Sequence, residues 1–184
     1  MGTRNLTVVQ LDGDYKIAQY GQWDGYPTGQ GKTVLEFLKR LGVRKRKAFE
    51  QKLRATSFAT DEDLDKVNAA YPNGGWQKVY PAYSRDTGAK ILELVAVSDA
   101  GIKLKNDIEF AGASLFCEYA YVIDLDKNVL EVYKGFNKRP LTKSARFYGT
   151  AVDSDAPKYF QIRLKAKWPL DALPTVAEMD KKVG

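Results

Sequence analysis

Two short runs near the start of the chain alternate between apolar and polar residues and predict a β-hairpin. Leu6–Leu11 and Tyr15–Tyr20 are rich in residues that favour strands, and Asp12-Gly13-Asp14 lies between them. Glycine adopts positive φ at little cost, so this tripeptide is a strong signal for a hairpin turn. We therefore expect two antiparallel strands here.

After this hairpin the apolar spacing becomes helical. Apolar residues recur every three or four positions over Lys32–Leu41, and Gly42 ends the predicted helix. A second helix is predicted around Arg44–Arg54. A third is predicted at Asp61–Ala70, with Thr60 as its N-cap.

The second half of the chain is predicted to be mainly strands. Its clearest feature is a second hairpin, in which Leu115–Leu125 and Val129–Tyr133 flank a short polar turn. The other predicted elements are a buried helix at Gly88–Ser98 capped by Asp86 or Thr87, strands at Arg146–Gly149 and Tyr159–Ala166, and a terminal helix at Thr175–Lys182.

Strands at both ends of the chain, with helices between them, indicate an α+β fold. We expect antiparallel sheets built from the two hairpins and packed with helices from the middle. The length of 184 residues is close to the size of about 150 residues that is typical of one domain, so residues 1–184 are expected to form a single domain.

The composition excludes several kinds of chemistry. The chain has no histidine and one cysteine, so Ser-His-Asp and Cys-His arrangements and histidine-ligated metal sites are absent. Cys117 lies in an apolar run and is expected in the core. We predict neither a metal site nor a cofactor. The first residues lack a secretory signal pattern, and no apolar stretch is long enough for a membrane span, so a cytoplasmic protein without membrane partners is expected.

A glycine-rich loop between the first hairpin and the first helix is the main candidate site. Its glycines expose backbone N–H groups, the helix start is electropositive, and nearby aromatic rings can stack on a base or sugar. A true P-loop is not predicted, because Tyr26 stands where that motif needs glycine. The alternative is a rigid turn whose aromatic residues fix the helix. The candidate ligand-binding residues are Trp23, Asp24, Gly25, Tyr26, Gly29, Gly31, Lys32 and Thr33.

A basic patch, defined by Arg44, Lys45, Arg46 and Lys47, contributes to the net charge of +6. Such a patch can bind phosphates, including those of nucleic acid. No nucleic-acid motif accompanies it, and the solvated face of a helix is the alternative interpretation.

Four stretches of this sequence resemble one family of small uncharacterised proteins from bacteriophages, bacteria and fungi. They are the MGTR start, the YGQWDGYP string at Tyr20–Pro27, Ser84–Ala89 and Glu118–Leu125. The resemblance implies no particular activity. It does suggest a phage-encoded protein, and such proteins often inhibit a host factor or bind a host signal.

A second resemblance concerns N-terminal-nucleophile hydrolases. Gly2-Thr3 precedes a strand, a turn at Asp12-Gly13, a second strand and a loop that contains Asp24. This resemblance implies Thr3 as the nucleophile and Lys32 as its activator, and it requires removal of Gly2.

Three functions therefore follow as expectations. The first is non-catalytic binding of a small anionic, nucleotide-like ligand at the loop. The alternatives are a protein-interaction module that inhibits a host protein, and an N-terminal-nucleophile-type hydrolase. No oligomeric state follows from the sequence.

Overall fold

The computed structural model describes residues 2–184. Its strands and helices are, in chain order, β1 (Asn5–Leu11), β2 (Asp14–Gly21), α1 (Lys32–Ala55), β3 (Ser57–Phe58), α2 (Asp61–Ala70), α3 (Trp76–Val79), α4 (Ile91–Val97), β4 (Lys103–Leu104), β5 (Tyr119–Asp124), β6 (Val129–Lys134), β7 (Arg163–Pro169) and α5 (Val176–Val183).

The two predicted hairpins lie side by side in one five-stranded sheet. β1 pairs antiparallel with β2, and β5 pairs antiparallel with β6. A parallel pairing of β1 with β5, in which Asn5 lies opposite Tyr119, joins the hairpins. β7 then adds to β6, which gives the order β2-β1-β5-β6-β7. The α+β prediction is confirmed, and the hairpins share one mostly antiparallel sheet.

Helices cover one face of this sheet. Successive side chains of a strand point to opposite faces, so Val9 and Val8 belong to different cores. Val9 lies on the face that packs against α1, α4 and α5, which contribute Leu35, Leu92 and Met179 respectively.

The opposite face is covered by chain without α-helices. Val8 packs there with Cys117, Phe147 and Ile162, all of which are buried. The prediction that Cys117 lies in the core is confirmed, and burial raises the pKa of its thiol far above the ordinary value. A groove with a volume of about 700 Å³ lies on this face.

The predicted helix boundaries in the first half agree with the structure. α1 is interrupted at Gly42, whose φ of 52° and ψ of −175° are not helical, so two helical halves meet there. Thr60 caps α2 and forms a reciprocal capping box with Asp63. None of the helices in residues 2–184 combines the length and the apolar character that a membrane span requires.

Three strand predictions need correction. The strand predicted at Leu115–Leu125 is shorter and runs from Tyr119 to Asp124. Arg146–Gly149 is not a strand, because successive turns fold this segment so that Phe147 enters the core and Arg146 reaches the sheet. The strand predicted at Tyr159–Ala166 begins only at Arg163 and runs to Pro169.

The predicted helix at Gly88–Ser98 also differs in its first turn. Gly88–Lys90 forms a 3₁₀ turn, and α4 follows from Ile91. Neither predicted cap is made: the Thr87 hydroxyl donates to the carbonyl of Pro81, and a carboxylate oxygen of Asp86 accepts from the indole of Trp23. Both side chains are used in contacts outside the helix.

Candidate functional site

The backbone N–H groups of the glycine-rich loop form hydrogen bonds within the protein. The N–H of Gly25 donates to the carbonyl of Thr3 over 2.9 Å, and the N–H groups of Gly29 and Gly31 both donate to the carbonyl of Tyr26. Gln30 N–H donates to Asp24 in the same way. These four groups therefore bind protein carbonyls and not a ligand.

Close packing explains why two of these positions are glycine. A Cβ on Gly29 would lie 2.2 Å from the carbonyl oxygen of Asp24. A Cβ on Gly31 would lie 2.9 Å from the ring of Tyr121, beneath a π-helical turn at Pro27–Gly31. The loop is thus a tight connection between β2 and α1.

Five side chains of the loop and the helix start are exposed to solvent: Trp23, Asp24, Tyr26, Thr28 and Lys32. Trp23 and Tyr26 are about half exposed, at 47% and 45%. The Nζ of Lys32 lies 3.8 Å from Glu36 on the exposed surface of α1. The Thr33 hydroxyl faces back to the carbonyl of Gly29. The groups of the loop that a ligand can reach are therefore two rings, one ammonium group, one hydroxyl and the carboxylate of Asp24, which would repel an anion.

The basic patch divides into three exposed cations and one structural arginine. Arg44, Lys45 and Lys47 are exposed. Arg46 instead donates to the side-chain oxygen of Asn128 over 2.6 Å and to the carbonyl of Leu125 over 3.3 Å. Arg46 thereby attaches the second half of α1 to the turn between β5 and β6.

Thr3 is buried at the start of β1, with 7% of its surface exposed. Its carbonyl accepts from Gly25, and Gly2 lies directly against the ring of Trp23. The residue that precedes Thr3 is therefore part of the packed structure around the loop.

A wide groove lies on the face of the sheet that no α-helix covers. It has a volume of about 700 Å³, and four cationic side chains and one carboxylate line it. Hydroxyl groups of Thr142 and Ser144 add donors to its wall. We call this space the cationic groove; its charged residues are Lys127, Glu131, Arg146, Arg163 and Lys167.

A buried charge cluster forms the floor of the cationic groove. Arg146 donates from Nε to a Glu131 oxygen over 2.7 Å, and its two NH groups bind Asp124 and Gln10. The hydroxyl of Tyr133 donates to the same Glu131 oxygen over 2.7 Å. One guanidinium therefore pairs with two carboxylates inside the sheet, and Lys127, 3.5 Å from Asp124, supplies a second positive charge.

The cluster shifts the proton affinities of its members. Burial alone would lower the pKa of Arg146, but its hydrogen bonds to Glu131 and Asp124 raise it above the ordinary value. Burial would raise the pKa of Asp124, but Arg146 and the backbone N–H of Lys127 lower it. Burial raises the pKa of Tyr133. Arg146 and Asp124 are therefore both charged at neutral pH.

Two groove cations have no partner within residues 2–184. Arg163 and Lys167 on β7 are exposed and form neither an ion pair nor a side-chain hydrogen bond there. Lys127 is exposed as well, at 3.5 Å from Asp124. The rim of the groove thus carries three exposed cations above a floor in which two carboxylates share one guanidinium.

Sequence reasoning missed this groove for a specific reason. Glu131 alternates with Leu130 and Val132, a pattern that usually marks a solvated strand face. The buried countercharge, Arg146, comes from a segment that was predicted to be a strand. Only the fold brings the two residues together.

Comparison of the chain with protein-family models, curated proteins and solved structures finds no match. Both resemblances noted in the sequence therefore stay predictions, and the function rests on the geometry.

Proposed function

We propose that this protein binds a small anionic, nucleotide-like ligand in the cationic groove without catalysing a reaction on it. The observation that carries the proposal is the charge of the rim, where Arg163 and Lys167 lack partners and lie in one groove with Lys127. Cations without partners gain most from an anionic ligand, because no existing ion pair has to be broken.

The size of the groove supports a ligand of this class. Sites for small molecules typically have volumes of about 300–1,000 Å³, and the groove has about 700 Å³. Tyr15 contributes an aromatic ring to the wall, on which a base can stack. The hydroxyls of Thr142 and Ser144 share a hydrogen bond over 3.1 Å, which leaves one of the two free to donate to a phosphate oxygen. The resemblance to phage proteins supports a host nucleotide signal as the ligand.

The glycine-rich loop is the second location for the same function. Trp23, Tyr26 and Lys32 are exposed there and match the chemistry of a nucleotide. The groove is favoured because the backbone donors of the loop already bind Thr3, Asp24 and Tyr26.

Calorimetric titration with mononucleotides, cyclic nucleotides and inorganic pyrophosphate tests the proposal. We expect Lys167→Gln and Arg163→Gln each to weaken binding about tenfold, since a hydrogen bond to a charged group contributes about 1.5–3 kcal/mol. Lys78→Gln removes an exposed cation from α3 and is the matched control.

Two loop variants, Lys32→Ala and Trp23→Ala, locate the site. We expect both to bind as well as the unmodified protein. Weakened binding in these two variants, with unchanged binding in the groove variants, would place the ligand at the loop. An unmodified protein that binds no member of the panel would refute the proposal.

A further inference from the structure

The outer edge of β7 is an unpaired strand edge. β7 is the last strand of the sheet, so only one side of its backbone faces β6. Within residues 2–184, no backbone N–H or carbonyl of the segment from Arg163 to Trp168 binds any segment other than β6. An edge of this kind presents a row of donors and acceptors to another chain.

The opposite edge of the same sheet is covered. Asp107 donates its backbone N–H to the carbonyl of Ala18 on β2 over 2.9 Å, and its carboxylate accepts from the N–H of Tyr20 over 3.0 Å. Asn106 also forms a bridge with Ala18. The fold thus blocks one edge with its own chain and leaves β7 open.

The open edge carries only positive charge. Arg163, Lys165 and Lys167 are exposed, and none forms an ion pair within the described chain. Arg163 also lies opposite Lys134 of β6, and like charges in direct opposition destabilise a strand pair. The ammonium of Lys134 binds the carbonyls of Val183 and Gly184, whereas Arg163 has no partner within residues 2–184, so a carboxylate at this edge would pair with Arg163 without breaking an existing bond.

We propose that the edge of β7 binds an acidic peptide in an extended conformation, which adds to the sheet as a sixth strand. Main-chain hydrogen bonds to the open edge supply affinity, and carboxylates beside the three cations supply selectivity. This proposal concerns a protein partner; the edge shares Arg163 and Lys167 with the cationic groove, whereas Lys165 belongs to the edge alone.

A second copy of the chain fits this edge poorly. Antiparallel pairing of two β7 strands centred on Lys165 would place Lys165 opposite Lys165 and Arg163 opposite Lys167. Lys165 is also a bulged residue, because Leu164 pairs with Tyr133 and Ala166 pairs with Val132. The bulge affects any strand added at this edge, so the charges decide between the occupants: lysines on an edge strand oppose a second copy, and an acidic chain complements them.

Fluorescence anisotropy with a labelled peptide of alternating Glu and Val residues tests the proposal. We expect saturable binding that Lys165→Glu weakens by about tenfold or more, because charge reversal places like charges together. Lys165 does not line the cationic groove. Lys78→Glu makes the same change in net charge on α3, and we expect it to weaken binding less than about twofold.

A peptide of the same sequence with alternate backbone nitrogens methylated separates strand addition from simple charge attraction. Methylation removes N–H donors and keeps every carboxylate, so we expect binding to fall by about tenfold or more. Equal binding of the two peptides would overturn the proposal. So would equal losses in Lys165→Glu and Lys78→Glu, or no binding of the unmethylated peptide.

Two further measurements distinguish peptide binding at the edge of β7 from ligand binding in the cationic groove and from dimerisation. Lys127→Gln alters the groove but not β7, so we expect it to leave peptide binding unchanged while it weakens nucleotide binding. Sedimentation velocity tests whether a second copy of the chain binds at the edge. We expect the unmodified protein and Lys165→Glu both to be monomeric. A dimer that Lys165→Glu dissociates would assign the edge to a second copy and overturn the proposal.

Discussion

Arg146 and Glu131 form an ion pair across 2.7 Å in which each side chain is less than a tenth exposed. Arg146 also binds Asp124, whose side chain is fully buried. Burial of one arginine with two carboxylates is stable only while every charge has its partner. This cluster fixes the irregular segment that precedes β7 to the centre of the sheet.

Removal of the guanidinium should therefore destabilise the protein strongly. We expect Arg146→Met to lower the free energy of unfolding by about 3–5 kcal/mol, because two buried carboxylates lose their countercharge. Urea denaturation followed by circular dichroism measures this. Arg139→Met, at an exposed position without side-chain bonds in the described chain, should change stability by less than about 0.5 kcal/mol. Equal effects in the two variants would show that the buried cluster is not important for stability.

The ion pair of Asp63 with Lys103 predicts a pH effect. The side-chain hydrogen bond from Lys103, together with hydrogen bonds from Thr60, lowers the pKa of Asp63 from 3.8 to about 2. A carboxyl group with a lowered pKa in the folded state contributes stability above its ordinary pKa, and this is lost as pH falls through the lowered value. The window of change is therefore from about pH 4 to about pH 2.

Titration of the Asp63 carboxyl carbon by NMR measures this shift directly. We expect a midpoint near 2 in the unmodified protein and a higher midpoint in Lys103→Met. Lys66→Met removes a lysine that pairs with Glu62 on the same helix, so it should leave the midpoint unchanged. A midpoint that stays near 2 in Lys103→Met would assign the shift to Thr60 alone.

Local signals in the sequence identified much of this fold. Gly13 and Gly42 marked a turn and a helix break, and Thr60 marked a helix start, because each effect depends on a few neighbouring residues. The parallel pairing of β1 with β5 could not be predicted from such local signals. It joins Asn5 to Tyr119, and no local pattern specifies a contact over that separation.

The cationic groove could not be predicted from the sequence, because its residues are far apart along the chain. Glycines at 25, 29 and 31 suggested a cradle for an anion, but glycine also permits close packing, and only the fold shows Tyr121 against Gly31. The groove combines Lys127 from a turn with Lys167 from a distant strand. Its charge becomes visible only after both are placed on one face of the sheet.

The conformation of Gly42 predicts a cost for any side chain at this position. A φ of 52° with a ψ of −175° is a conformation that is essentially restricted to glycine, and a Cβ there would meet no atom within 4 Å. We expect Gly42→Ala to destabilise the protein by about 1–3 kcal/mol through backbone strain alone. Thermal denaturation measures this, with Val43→Ala at the neighbouring exposed position as the control. A stabilised Gly42→Ala protein would show that α1 prefers to be continuous.

A buried hydrogen bond joins the glycine-rich loop to the sheet. The hydroxyl of Tyr121 donates to the carbonyl of Gly25 over 2.8 Å. We expect Tyr121→Phe to cost about 1–3 kcal/mol, because the carbonyl is left without its donor in the core. Tyr148→Phe removes a hydroxyl from a half-exposed ring and should have almost no effect. Chemical denaturation of both variants checks this, and equal stabilities would contradict the expected role of the bond.

The last prediction concerns the resemblance to N-terminal-nucleophile hydrolases. Catalysis of that type needs a free amine on Thr3 to act as the base for its hydroxyl, since the chain has no histidine. Gly2 occupies that amine with a peptide bond, and its backbone packs so closely that a Cβ would lie 2.3 Å from the ring of Trp23. We therefore expect intact-mass spectrometry of the purified protein to include Gly2, and Thr3→Ala to leave both mass pattern and ligand binding unchanged. A mass that corresponds to a chain with Thr3 as its first residue, and that is not seen for Thr3→Ala, would instead establish self-cleavage. Lys32→Ala would then be the next variant to assay for hydrolysis.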